Sequence, residues 1–354
     1  MVENKIGGHW KVNVKIKPLI WILAIFVAVI VLLPAILVLP FSSEPPEWKE
    51  ENQARPSERM LALEIPHSDI VVPVFRTSKD TVENIPLEEY VAGVVASEMP
   101  AEFELEALKA QALTARTFIV KAMLNPGKDD SLPDEAVVTD TIMHQVYKGN
   151  DELEALWGDD FNEKLAKIVE AVTETKGQIL TYEGEPIQAS FFSTSNGFTV
   201  NSEDYWKNKY PYLRSVESPW DKKSPKYVQT IQLQVRTVEE KLGVSIKKDG
   251  KVGKVVATTS GKRIGKFAIG KKEFSGKEIR EKLGLRSTDF QMEKKGKQIT
   301  ITTKGYGHGV GLSQYGANGM AEEGKSYKEI VNYYYKGIEI TDYKPLADKR
   351  VALK

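Results

Sequence analysis

Between Leu87 and Val95 the apolar positions fall at Leu87, Tyr90, Val91, Val94 and Val95, the i, i+3, i+4, i+7, i+8 spacing of a helix with one buried face. Asn84 is placed to cap this helix, and Pro86 sits in its first turn, where a missing N–H costs little. Pro100 stops the helix and drives Met99 towards extended backbone, so Glu98 comes to rest at a fixed corner. A second helix opens with Glu102, Glu104 and Glu106 and carries Lys109, Arg116 and Lys121 further along, the order the helix dipole prefers. Ala107, Ala110, Ala112 and Ala115 keep it narrow, and Lys109 and Arg116, seven apart, share one face. The pattern is a carboxyl on a corner beside a basic face.

Elsewhere the pattern is shorter-ranged. Short apolar runs from Leu61 to Val74 predict strands, followed by a turn over Thr77 to Glu83. Leu165, Ile168, Val169 and Val172 mark one face of a helix over Asn162 to Thr175, with Gly177 as its C-cap. Gln178 to Tyr182 and Ile187 to Phe192 flank Glu183-Gly184-Glu185-Pro186 and read as a hairpin. Lys226 to Thr303 is strand-like and Lys-rich, interrupted by a helix over Ser275 to Leu283. A glycine turn over Gly305 to Gly311 follows, and a last helix opens with a capping box at Ser326 to Glu329.

One segment departs from globular patterning. Leu19 to Leu39 has no charged residue and is long enough to cross a bilayer as a helix. Lys5, Lys11, Lys15 and Lys17 precede it, while Glu44, Glu47, Glu50 and Glu51 follow, which predicts an uncleaved single-pass anchor with a cytoplasmic N-terminus. The expected organisation is a cytoplasmic tail (1–18), a transmembrane anchor (19–39), a Pro-rich charged linker (40–60) and an extracytoplasmic domain (61–345) with a strand-rich insertion at about 226–304. The expected fold class is α+β: a helical region over 84–175 packed on mixed and antiparallel strands, behind the membrane helix.

Charge and composition narrow the chemistry. In 354 residues, 49 Lys plus Arg balance 49 Asp plus Glu, so no global field points to nucleic acid. Without cysteine there is no disulfide, thiolate metal site or cysteine nucleophile. His144 and His308 have no HExxH context, so no metal is expected, and the glycine turn lacks GxGxxG spacing, which removes the dinucleotide reading. Ser193 and Ser195 lack the G-x-S-x-G context of a triad nucleophile. On spacing alone Glu98 is either a carboxyl that helix faces can desolvate into a general acid, or an ordinary solvated helix-end glutamate. The hydroxyls and amides from Ser193 to Thr199, beside Tyr205, Trp206, Tyr210, Tyr212 and Trp220, suit a polyol ligand or a plain loop with core rings. Glu203 and Asp204 offer further carboxylates, and the glycine turn presents His308 and Gln314 with Tyr315 beside them.

Read in order, YVAGVVASEMPAEFELEALKAQALTARTF, STSNGFTVNSEDYW, PYLRSVESPWD, RSTDF and GHGVGLSQYGANGMA resemble the stage II sporulation protein D family over about Ile85 to Gly337. The resemblance implies a membrane-anchored peptidoglycan lytic transglycosylase of endospore formers. Such an enzyme cuts glycan strands already stripped of stem peptides, between mother cell and forespore during engulfment, with an amidase and membrane proteins of that machinery as partners. Glu98 would be its acid. Lys109, Arg116 and Tyr212 fall on the family's basic and tyrosine positions, and with Ser193, Ser195, Glu203, His308, Gln314 and Tyr315 they make up the expected substrate site. Lys109 and Arg116 are expected to hold the muramic lactyl carboxylate or to position the loops. Some relatives carry a cysteine-bound zinc, which this cysteine-free chain does not inherit, so no cofactor is expected. The alternative is a non-catalytic wall-binding enhancer of an amidase.

Overall fold

Two antiparallel strands, β1 (Val71–Arg76) and β2 (Thr81–Pro86), lead directly into α1 (Leu87–Glu98). The structure is a computed structural model describing residues 65–344 except 67, 126–131 and 134. The tail, membrane anchor and linker expected over residues 1–60 lie outside the described residues. Among the described residues no helix is long and apolar enough to cross a membrane.

Asn84 does not cap α1. It pairs with Pro73 in the β1–β2 ladder, and β2 runs on to Pro86, which becomes the cap. At the other end Met99 is extended (φ −116°, ψ 143°), as the following proline requires, and α1 stops at Glu98. The second helix, α2 (Leu105–Leu124), starts later than the glutamate run, with Glu104 as its cap residue. Short β3 (Val138–Thr139) adds parallel to β1. Then come α3 (Asn150–Trp157) and the amphipathic α4 (Phe161–Glu174).

The expected hairpin is shorter than its sequence pattern. β4 (Gln178–Tyr182) pairs with β5 (Glu185–Pro186) through a two-residue turn in which Glu183 and Gly184 both take positive φ, 52° and 79°. β6 (Phe191–Phe192) leaves that sheet and runs parallel to a strand more than a hundred residues later. The one-turn α5 (Ser202–Tyr205) and a 3-10 turn over Pro219–Lys223 follow.

From Val228 to Lys304 the chain builds a body with its own apolar interior. It contains β7 (Val228–Gln234), α6 (Val235–Leu242), β8 (Gly250–Lys251), β9 (Lys254–Thr258), β10 (Ile264–Ile269) and β11 (Lys272–Ser275). α7 (Gly276–Leu283), β12 (Phe290–Lys295) and β13 (Gln298–Lys304) complete it. Val238, Phe267, Ile279, Phe290 and Ile301 belong to this cluster, whereas helices α1, α2 and α4 bury a separate and larger one. The chain returns through β14 (Leu312–Ser313), α8 (Gln314–Glu322), α9 (Tyr327–Tyr334) and β15 (Glu339–Asp342), which pairs with β4. The capping box of α9 forms in both directions, Glu329 N–H to Ser326 Oγ at 3.3 Å and Ser326 N–H to the Glu329 carboxylate at 3.0 Å.

The basic face of α2 points inward. Arg116 is wholly buried and forks onto the equally buried Glu88 of α1, with Nη2 to Oε2 at 2.6 Å. It also donates to the Val172 and Gln178 carbonyls, at 3.3 Å and 3.2 Å, so one guanidinium joins α1, α2, α4 and β4. Truncation would strand the Glu88 carboxylate in the core. Arg116→Ala is expected to cost about 3–5 kcal/mol, read as a lowered urea midpoint with an unchanged slope.

Candidate active site

Glu98 ends α1 and faces a cleft of about 610 Å³. Four segments wall the cleft: the 142–146 loop, residues 188–193 leading into β6, the glycine turn at 306–308, and Gln314 at the start of α8. Lys226, just before β7, and Arg280 of α7 also line it, and Ile142 and Met143, 90% and 67% exposed, stand at its rim. Among the described lining residues Glu98 is the one carboxylate.

That carboxyl is half-buried. Burial pushes its pKa up, while Val146 N–H, at 2.9 Å from Oε1, and the Gln314 amide each donate a hydrogen bond and pull it back. Desolvation is the larger influence, so the neutral acid persists above the ordinary glutamate range. Gln314 is itself fixed, its Nε2 lying 3.5 Å from Gln111 Oε1 of α2.

The glycine turn and the serine-rich loop are laced together by backbone bonds. Thr194 and Tyr306 exchange N–H and carbonyl at 3.0 Å and 2.7 Å, and Val200 N–H reaches Gly309 O at 2.7 Å. At Gly311 (φ 80°) a Cβ would lie 2.0 Å from Ser190 O, so this approach excludes any side chain. The turn presents His308 against Trp206, with ring centroids 5.0 Å apart, and against Phe192 at 5.6 Å. Burial, reinforced by the charges of Arg280 and Arg263, lowers the His308 pKa to about 3, so the imidazole is neutral. Its Nδ1 accepts from Val310 N–H at 3.1 Å, which leaves the proton on Nε2. Arg263, buried in the 228–304 body, pins the same turn by donating to Gly307 O at 2.8 Å.

Of the residues expected in the substrate site, Ser193, His308 and Gln314 line the cleft with Glu98, and the others do not. Arg116 is committed to Glu88, and Lys109 lies 2.6 Å from Glu106 with a second ion pair to Glu174, so neither basic residue is free to hold a substrate carboxylate. Glu203 chelates Arg214 at 2.6 Å and 2.7 Å, which pulls its pKa down to about 2 and removes it as a second acid. Asp204 lines a separate pocket of about 40 Å³. Tyr212 is buried and its hydroxyl accepts Gln188 N–H at 2.9 Å, bracing the segment that lines the cleft. Ser195 is buried on Asp221, with Oγ to Oδ2 at 2.7 Å. Tyr315 rests edge-on against Phe103, centroids 4.9 Å apart, beneath Lys226.

Sequence reasoning passed over Asp221, Arg263, Lys226 and Arg280. Asp221 closes the PYLRSVESPWD motif, but two of its partners, Ser195 and Ser313, lie 26 and 92 residues distant, and local spacing does not announce them. Among the described residues no three His, Cys, Asp or Glu side chains converge as a metal site.

Comparison with known proteins agrees with these motifs. Residues 76–182, which include the Glu98 corner and all of α2, match the family model described as Stage II sporulation protein. The chain is 50% identical over 346 residues to stage II sporulation protein D of Bacillus amyloliquefaciens, covering 96% of this chain and 100% of that one. It is 48% identical over 341 residues to stage II sporulation protein D of Bacillus subtilis (strain 168), covering 94% and 98%. It is also 30% identical over 308 residues to an amidase enhancer of Bacillus subtilis (strain 168), covering 71% of this chain and 40% of the relative. With half its residues shared along the full length of such a relative, the chain belongs to the stage II sporulation protein D family.

Proposed function

We propose that the chain is a peptidoglycan lytic transglycosylase with Glu98 as its acid, acting on septal wall during sporulation. The observation that carries this reading is one partly desolvated carboxyl facing a cleft with no second carboxylate among the described lining residues. A conventional glycosidase flanks the scissile bond with two carboxyl groups. Cleavage without water needs one. Glu98 protonates the glycosidic oxygen as the bond from muramic C1 breaks. The resulting carboxylate then takes the proton of the muramic C6 hydroxyl as that oxygen bonds to C1, giving a 1,6-anhydro end and restoring the acid. Trp206 offers a flat face for sugar C–H groups, and Ser193 a hydroxyl for pairing. The uncharged run Leu19–Leu39 would tether the domain to the membrane, facing outward.

A second reading, a wall-binding protein that stimulates an amidase, draws on the relative named amidase enhancer. Product analysis separates the two. Peptide-free glycan strands incubated with the full-length chain are expected to gain anhydro-muramic ends by mass spectrometry. Glu98→Gln is expected to lower the rate by about 10²–10⁴-fold with glycan binding retained. Reducing ends would mean hydrolysis, and binding without cleavage by either protein would favour the enhancer.

The acid also predicts a pH effect. Activity requires protonated Glu98, so kcat/KM falls as pH rises through its raised pKa. Gln314→Leu removes a donor that favours the carboxylate, and is expected to move this alkaline limb up by about one pH unit. A limb unmoved or moved to lower pH would contradict the assignment.

A further inference from the structure

The cationic side chains that face the cleft are not the pair on α2. Lys226 and Arg280 are both half-buried lining residues, and neither has a carboxylate within ion-pair distance among the described residues. Lys109 and Arg116, by contrast, are fully compensated. Arg280 is held by Nε to Leu285 O at 3.2 Å and by Nη1 to Tyr205 OH at 2.6 Å, both uncharged acceptors. Lys226 Nζ sits 5.6 Å above the Tyr315 ring, which is itself seated on Phe103. A chain with zero formal net charge thus leaves two cations, one of them anchored by hydrogen bonds and neither ion-paired among the described residues, in the cavity lined by Glu98. Such an arrangement selects an anionic ligand.

We propose that Lys226 and Arg280 form a carboxylate-reading wall of the cleft, which receives the free lactyl carboxylate of a muramic residue beside the scissile bond. The inference rests on the glycan-cleaving reading and gives the 228–304 body, the source of Arg280, a part in substrate choice. A guanidinium suits a planar carboxylate, and the Lys226 ammonium lining the same cleft adds a second positive charge. Stem-peptide carboxylates share this chemistry but lie several bonds further from the sugar ring, whereas both cations share the acid's own cavity.

The test compares three glycan preparations: strands with free lactyl carboxylates, the same strands with those carboxylates converted to methylamides, and strands that retain stem peptides. kcat/KM is measured on each with the full-length protein, and binding is measured by calorimetry with Glu98→Gln. The free-carboxylate strand is expected to be preferred over the methylamide by about tenfold, with the preference shrinking as salt rises. Arg280→Gln and Lys226→Gln should each lower that ratio, and together bring it near parity. Arg280→Lys, which keeps the charge, should retain most of it. Because Arg280 also braces Tyr205, Lys226→Gln and Arg280→Lys decide the matter if Arg280→Gln does not fold. Equal handling of carboxylate and methylamide overturns the proposal. So does a preference unchanged in the variants, or a preference for peptide-bearing strands that disappears in them. Discrimination in binding without any cleavage would sink the transglycosylase reading and leave the carboxylate wall standing.

Discussion

One buried carboxylate holds the cleft's framework together. Asp221 accepts hydrogen bonds from Ser195 N–H (3.0 Å), Ser195 Oγ (2.7 Å), Ser218 Oγ (2.5 Å) and Ser313 Oγ (2.6 Å), and it is fully buried. Burial alone raises its pKa, and these donors work against that rise. The bonds join the serine-rich loop, the 3-10 turn and the entry to α8, and Ser218 passes the network on to Tyr334 of α9 at 2.7 Å. Gly316 makes room for it, since a Cβ there would fall 2.1 Å from the Tyr334 hydroxyl. Ser313 precedes Gln314, so the residue that donates to Glu98 takes its place from this hub. A half-satisfied network in such surroundings would be worse than an apolar one, because each buried polar atom left alone keeps its desolvation cost.

The Glu98 carboxyl depends equally on having no cation in direct contact with it, even though Lys226 and Arg280 line the same cleft. A cation in contact with Glu98 would draw its pKa back down and spoil a proton donor. The fold confines Arg116 to Glu88 and Lys109 to Glu106 and Glu174, while the groups that do touch Glu98 are an amide side chain and a peptide N–H. Neutral donors orient the carboxyl at a smaller cost to its acidity than an ion pair would impose.

The corner at Glu98 was legible because its cause is local: Pro100 forces Met99 extended, and an i, i+3, i+4 stripe specifies the helix before it. The glycine turn was legible for the same reason, as alternate glycines announce a backbone that must pass close to something. The direction of the α2 basic face was not legible. Two cations seven residues apart share a face whether it meets solvent or core, and what decides is Glu88, 28 residues earlier, and Glu174, 65 residues later. Asn84 misled in a related way. Asparagine is a good cap in isolation, but a strand ladder with Pro73 claimed its backbone first. The two hydrophobic clusters were half visible, in that the strand-like run after Lys226 stood out, whereas the closure of a distinct interior around Phe267 and Ile301 depends on pairings between distant strands.

The exit and return of that run carry a consequence of their own. β7 and β13 are paired along their whole length, with Val228 opposite Lys304, and Gly305 N–H bonds Tyr227 O at 2.7 Å. The chain therefore leaves and rejoins the surrounding fold at neighbouring points, and the entropy of closing so long a detour is met within the detour itself. To the helices around Glu98 it weighs no more than a hairpin would. Descendants of this gene can lengthen or trim the outer strands of the detour without unsettling the Glu98 corner, provided Arg263 keeps its hold on Gly307, so that this body and the helices are free to diverge at different speeds.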